Sequence, residues 1–248
     1  MSSQIRSKTA YSRARTLEDF AVAVASPETF YNSHVVNRKG RTSDTGELYT
    51  EIISGVLSDN LELLTADDKF TGITREKSYK VNHPYVPVNL ESRRKEEQTA
   101  RSFMGKTFEG LGEIIDYQTP LYNGFKKGLE KAKKQGAGKI DLLSYNTQDV
   151  FMIEYKWKNS TETLLRCVLE IYSYWRKVNR EKLLQDFGYP HAGLKKAVLV
   201  YPSCQAFIEY QEPNTAIRKL MEKLEVEFFA LNENELAVFP ENPVKSLK

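Results

Sequence analysis

Gly138-Lys139-Ile140-Asp141-Leu142-Leu143 and Ile153-Glu154-Tyr155-Lys156-Trp157 are two apolar runs that carry charges. Twelve residues lie between Asp141 and Glu154. Side chains alternate along a strand, so Glu154 and Lys156 share one face and Ile153, Tyr155 and Trp157 the other. Same-face neighbours stand about 6.6 Å apart. Charge inside a run that reads as buried strand is costly unless it is paired or holds a metal. The polar stretch Asn146-Thr147-Gln148-Asp149 separates the runs. A connection that short predicts an antiparallel hairpin, with strands over 139–145 and 150–157.

Residues 91–111 read as a helix with Ala100, Met104, Phe108 and Leu111 on one stripe, followed by a strand over 113–119. Beyond the hairpin the pattern predicts a strong helix over 161–180 and a buried strand over 196–201. A helix over 214–224 and strands over 226–231 and 236–239 complete it. The order α-β-β-β-α-β-α-β-β predicts an α/β fold, a mixed sheet flanked by helices. Upstream, Met1 to Arg15 reads as a basic arm, and Thr16 as the N-cap of a first helix. Ser26-Pro27-Glu28 starts a second short helix, and residues 48–64 a third. A mixed stretch to Asn89, broken by Pro84 and Pro87, with a short strand over 78–81, separates a mostly helical accessory region, 1–89, from a core domain, 90–248.

The charged hairpin is suited to phosphodiester hydrolysis. That reaction needs a hard cation on the phosphate, an activated water and charge stabilisation at the leaving oxygen. Mg²⁺ is held by one or two carboxylates and completes its octahedron with water and substrate oxygens. Asp141 and Glu154 on adjacent strands supply such a pair, and Lys156 stands beside Glu154. Two neighbouring carboxylates oppose loss of the Lys156 proton, which favours orientation of water and charge stabilisation over a simple base role. A strand-face ion pair is the plainer reading of the same residues.

Asp141 within Gly-Lys-Ile-Asp-Leu-Leu, the Glu154-Tyr155-Lys156 triplet, the hairpin-sized gap and the α-β-β-β-α-β order resemble the PD-(D/E)XK nuclease superfamily, the restriction-endonuclease-like fold. The resemblance covers residues 91–231, and Ile140 stands where the motif has proline. It implies metal ligation by Asp141 and Glu154, catalysis with Lys156, and an acid on the first core helix. Glu97 is chosen for that acid, with Glu96 and Glu109 open. It also implies a Gln-x-x-x-Tyr element on the following helix. Here Glu170 and Tyr174 fill those places, with Glu in place of Gln, on a helix face shared with Arg166. The resemblance further implies Mg²⁺, with Mn²⁺ able to substitute, and DNA as substrate, RNA not being excluded. The rival reading is a nuclease fold without turnover that binds nucleic acid or another partner.

Local charge bears on the substrate more than the total, since net charge is only +3 in 248 residues. Lys126, Lys127, Lys131, Lys133, Lys134 and Lys139 face one acid, Glu130, in the segment entering the Asp141 strand. The run reads either as a solvated lysine face or as a phosphate contact. Arg6, Lys8, Arg13 and Arg15 make a second basic cluster. His83 and His191 lie beside prolines without a partner motif. Cys167 and Cys204 form no zinc pattern, and two lone thiols fit a reducing compartment. No apolar run has the length of a membrane span, and no apolar signal core opens the chain. A cytoplasmic protein without membrane partners is expected, with the N-terminal helices available for DNA docking or for a homodimer.

Overall fold

The computed structural model describes residues 10–66, 70, 75–83, 94–122, 138–212, 215–231 and 238–240. Five of the six lysines of the basic run (Lys126, Lys127, Lys131, Lys133 and Lys134) lie outside these residues, as do Pro84 and Pro87 and most of the basic arm.

Among the described residues seven strands form one mixed sheet in sequence order: β1 (Thr107–Phe108), β2 (Gly112–Pro120), β3 (Lys139–Tyr145), β4 (Asp149–Lys156), β5 (Gly193–Val200), β6 (Val226–Leu231) and β7 (Val238–Pro240). The pairs β1–β2, β2–β3 and β3–β4 are antiparallel, β4–β5 and β5–β6 are parallel, and β6–β7 is antiparallel. The switch to parallel pairing after β4 requires a crossover. Two helices supply it: α5 (Leu164–Lys177) and α6 (Arg180–Phe187). Upstream of the sheet stand α1 (Arg13–Val24), a 3-10 helix (Pro27–Asn32), α2 (Tyr49–Asp59), α3 (Glu62–Thr65) and α4 (Lys95–Ser102). Downstream of β5 come α7 (Gln205–Gln211) and α8 (Ala216–Leu224). The mixed α/β architecture is present, and the described elements from α4 to β5 run α-β-β-β-β-α-α-β, with the short β1 and α6 added to the expected order. Among the described residues no helix is long and apolar enough to cross a membrane.

The expected helix over 91–111 stops at Ser102 among the described residues. Gly105, Gly110 and Gly112 take φ of +70°, +79° and +78°, a region that turns the chain out of helix and favours glycine. The apolar stripe is therefore divided. Ala100 lies on α4 and Phe108 on β1, both buried, whereas Met104 is 40% exposed. Residues 78–81 form no strand. Thr16 lies inside α1, and the N-cap is Ser12, whose hydroxyl oxygen accepts from the Arg15 amide at 3.1 Å. Arg13 and Arg15 belong to that helix and pair with Glu47, Glu18 and Asp19. Those two cations of the predicted arm are occupied within the protein.

Tyr155 and Glu154 show how β4 is covered. The Tyr155 ring meets Phe103, at the C-terminal end of α4, with centroids 5.5 Å apart. Glu154 and Lys156 point the other way, toward the start of α5. The sheet thus carries a helix on each face, as alternation requires. The N-terminal helices do not form a separate core. Phe20, Phe30, Tyr31, Ile53 and Leu57 join one continuous buried cluster with the sheet and α5. The 3-10 helix packs on α5, and α2 packs on α8. The boundary at 89/90 therefore divides the sequence without dividing the hydrophobic core.

Candidate functional site: a buried carboxylate–lysine cluster

The β3–β4 register pairs Leu142 with Ile153, and continuing it sets Asp141 across from Glu154. The hairpin thus brings the two acids to the same end of the sheet. Asp141 is half-buried and fixed at both oxygens. Its Oδ1 accepts from Gln118 Nε2 at 3.0 Å and its Oδ2 from the Tyr155 amide at 3.1 Å. Gln118 lies opposite Asp141 on β2 and has φ +52°. A left-handed backbone at a non-glycine residue costs of order 1–3 kcal/mol and persists where the surroundings over-determine it. Here it accompanies a side-chain amide donating to Asp141.

Glu154 is 2% exposed and Lys156 6%. The Lys156 ammonium lies 2.6 Å from Glu154 Oε1 and 2.7 Å from Glu162 Oε2. Arg166 reaches Glu162 at 3.1 Å and Glu170 at 3.8 Å. Tyr174 donates its hydroxyl to Glu170 at 2.7 Å. Oxygens of Glu154, Glu162 and Glu170 all lie within 4.8 Å of one another.

The helix carrying most of these groups is firmly started. Thr163 is its N-cap and accepts from the Arg166 amide. Glu209 of α7 accepts from the Leu164 amide at 2.8 Å, which places a carboxylate where the helix dipole favours one. Asn37 accepts from the Thr163 amide at 2.9 Å, and the Thr163 hydroxyl donates to the Val36 carbonyl at 2.6 Å. Glu162, Arg166, Glu170 and Tyr174 are thereby held in register over β4.

Excess negative charge in a dry setting governs protonation. Burial, and then the neighbouring Glu96 and Glu170, raise Asp141 to about 7 against the pull of Lys156. Burial and Glu170 push Glu154 well above the ordinary carboxylate range. For Lys156, burial works against the charge. Glu154, Cys167, Asp141 and Glu170 outweigh it and hold the ammonium well above its ordinary value. Lys156 is therefore a fixed cation at neutral pH.

The structure brings together Asp141, Glu154, Lys156, Glu170 and Tyr174. It separates the acids of the first helix. Glu97 turns to Arg94 and Arg101, each at 3.5 Å. Glu96, one residue earlier and about 100° around the helix, accepts from the Trp157 amide at 3.2 Å and contributes to the field at Asp141. Glu96, the open alternative, is thus the α4 acid that faces the site, in place of Glu97. Glu109 is exposed in the turn between β1 and β2. Lys139 is exposed at the start of β3.

Sequence reasoning missed Glu162 and Gln118. Glu162 sits one residue before the α5 N-cap, and an acid at the start of the expected helix with Arg166 at i+4 is a readable signal. Gln118 acts through a backbone conformation that its residue type does not announce.

No family model, no curated protein and no solved structure matches this chain.

Proposed function

We propose that this chain is a Mg²⁺-dependent nuclease of the PD-(D/E)XK type, with a restriction-endonuclease-like core that hydrolyses DNA phosphodiester bonds in an endonuclease-like manner. The observation that carries the reading is the meeting of Glu154, Glu162 and Glu170 beside Lys156, with Asp141 in their field, at the join between an antiparallel hairpin and a crossover helix. Among the described residues these acids and Glu96 outnumber the two cations at the site, Lys156 and Arg166. Unbalanced buried charge is costly, and a divalent cation would relieve it. The donors are all oxygens, as suits Mg²⁺ or Mn²⁺.

Asp141 and Glu154 would hold the ion, with Glu170 close enough to assist. A bound Mg²⁺ supplies Lewis acidity to the phosphate and lowers the pKa of a water. Lys156, kept charged by its neighbours, orients that water and offsets negative charge on the phosphoryl oxygens. Gln118 and the Tyr155 amide fix the direction of the Asp141 carboxylate before any ligand arrives. Such fixed donors and dipoles lower the reorganisation cost of the reaction.

The test is nicking of supercoiled plasmid DNA in Mg²⁺ or Mn²⁺, with single-stranded RNA alongside. Cleavage abolished by EDTA, by Asp141→Ala and by Lys156→Ala supports the reading. Cleavage that survives all three sinks it.

One observation favours the rival, a nuclease fold that binds without cutting. Lys156 is already clasped by two carboxylates, so the ion-pair network can satisfy itself. Salt-sensitive DNA binding, with no cleavage in either metal, would select that rival.

A further inference from the structure

A second polar constellation borders the carboxylate cluster. His83 Nε2 lies 2.7 Å from Asp116 Oδ1. Asp116 is 2% exposed, and its Oδ2 accepts from the Thr119 hydroxyl at 2.6 Å. The His83 ring stacks on Tyr117, with centroids 4.1 Å apart. This imidazole is thus fixed both in plane and in rotation, unlike a surface histidine that samples rotamers. With Nε2 committed to Asp116, Nδ1 is the nitrogen left for a ligand.

His83 lines a pocket of about 270 Å³ together with Glu97, Arg101, Tyr117, Gln118 and Lys139. That volume sits near the lower end for ligand sites, enough for one phosphate and its sugar. The lining has a positive bias. Arg101 and Lys139 stand against Glu97. Gln118 joins the two places, because it lines the pocket while its amide holds Asp141.

We propose that the pocket is a phosphate subsite, in which His83, held by Asp116 and flanked by Arg101 and Lys139, takes the backbone phosphate adjacent to the one at Asp141 and Glu154. The word adjacent rests on the nuclease reading; phosphate binding by His83 does not. A carboxylate bonded to one nitrogen of an imidazole fixes the orientation of the ring. The buried Asp116 therefore commits Nε2 and leaves Nδ1 for the anion.

Two measurements test this. The first titrates inorganic phosphate into the wild-type protein and follows the three histidines, His34, His83 and His191, by proton–carbon NMR, with His83→Ala assigning its own signal. Saturable movement of the His83 signal, with His34 and His191 still, is expected. A still His83 signal, or equal movement of all three, overturns the proposal. The second measures affinity for a 20-base-pair DNA duplex in EDTA across a salt series. His83→Ala is expected to weaken binding about five- to tenfold and to reduce the slope of log K against log salt by about 1, the loss of one phosphate contact. An unchanged slope and affinity in a folded His83→Ala protein also overturns it. Phosphate binding without plasmid nicking would leave the subsite standing and fail only the nuclease reading. Nicking with a silent His83 would do the reverse.

Discussion

Gly138 lies directly under Tyr174: a Cβ built on Gly138 would stand 2.2 Å from both the Tyr174 hydroxyl and its Cζ. The chain enters β3 at this point, three residues before Asp141, while the same hydroxyl donates to Glu170. The glycine lets the strand that bears one acid approach the helix that bears another.

Gly138→Ala should therefore force Tyr174 or β3 to move. Overpacking of this kind costs about 1–3 kcal/mol. Tyr174→Ala in the same background should recover part of the loss, so the double-mutant cycle is strongly non-additive. Urea unfolding of the four proteins measures it. Additive effects would mean that the two residues do not meet.

The pH dependence follows from Asp141. Its pKa rises from 3.8 to about 7 on folding, so the unfolded chain gives up this proton first. The destabilisation from Asp141 is absent near pH 4, grows as pH rises toward 7 and levels off above it. Asp141→Asn should be more stable than wild type at pH 8, by up to about 4 kcal/mol before solvent screening of this half-buried group. The advantage should vanish near pH 4. Thermal melts across pH 4–8 read it out, and a constant difference would contradict the assignment.

Metal and protons compete for the same oxygens. Mn²⁺ should raise the melting temperature of the wild-type protein at pH 8 and lose that effect by pH 5.5. Asp141→Asn should show little response at either pH. Equal stabilisation of both proteins would place the ion elsewhere.

Gln118 trades stability for position. Gln118→Gly removes the cost of φ +52° and should raise stability by about 1 kcal/mol. It also removes the donor to Asp141, so the proposed plasmid nicking should slow at least tenfold. A variant that is both more stable and fully active would show that the amide plays no part.

Lys156→Met tests the cation. Breaking a buried pair by removing one partner costs roughly 3–5 kcal/mol, because Glu154 and Glu162 lose the ammonium they share. Adding Glu154→Gln should restore much of that stability while leaving nicking absent. Calorimetry separates the two effects.

The readable parts of the fold were those where pattern and position coincide. Strand β3 follows the expected range because an alternating apolar run ends at a polar turn, and β6 does so for its apolar content. The helix after β4 was legible from Leu164, Leu165, Val168 and Tyr172, though its true end came early. Val178 leaves the helix, and Asn179 caps α6, accepting from the Lys182 amide. That cap, and Gly188 at the far end with φ +86°, were signals for an element that the apolar pattern alone concealed. The stretch around Met104 misleads because its apolar spacing suits a helix while its glycines forbid one. At the site, Asp141, Glu154 and Lys156 were legible because their chemistry is local to one hairpin. Choosing between Glu96 and Glu97 required the rotation of α4 against the sheet. His83 and Asp116 are 33 residues apart, so only the folded chain unites them.

The clasp on α5 has a consequence at long range. Val36 and Asn37 hold Thr163, and Lys177 at the other end of the helix donates to the Glu28 carbonyl at 2.6 Å. A short N-terminal segment therefore grips both ends of the helix that delivers Glu170. Cleaving the chain between α1 and α2 would loosen the hold on both ends of that helix without touching a single charged residue of the cluster. The segment serves as the fastener of the site, and it cannot be exchanged like a detachable module.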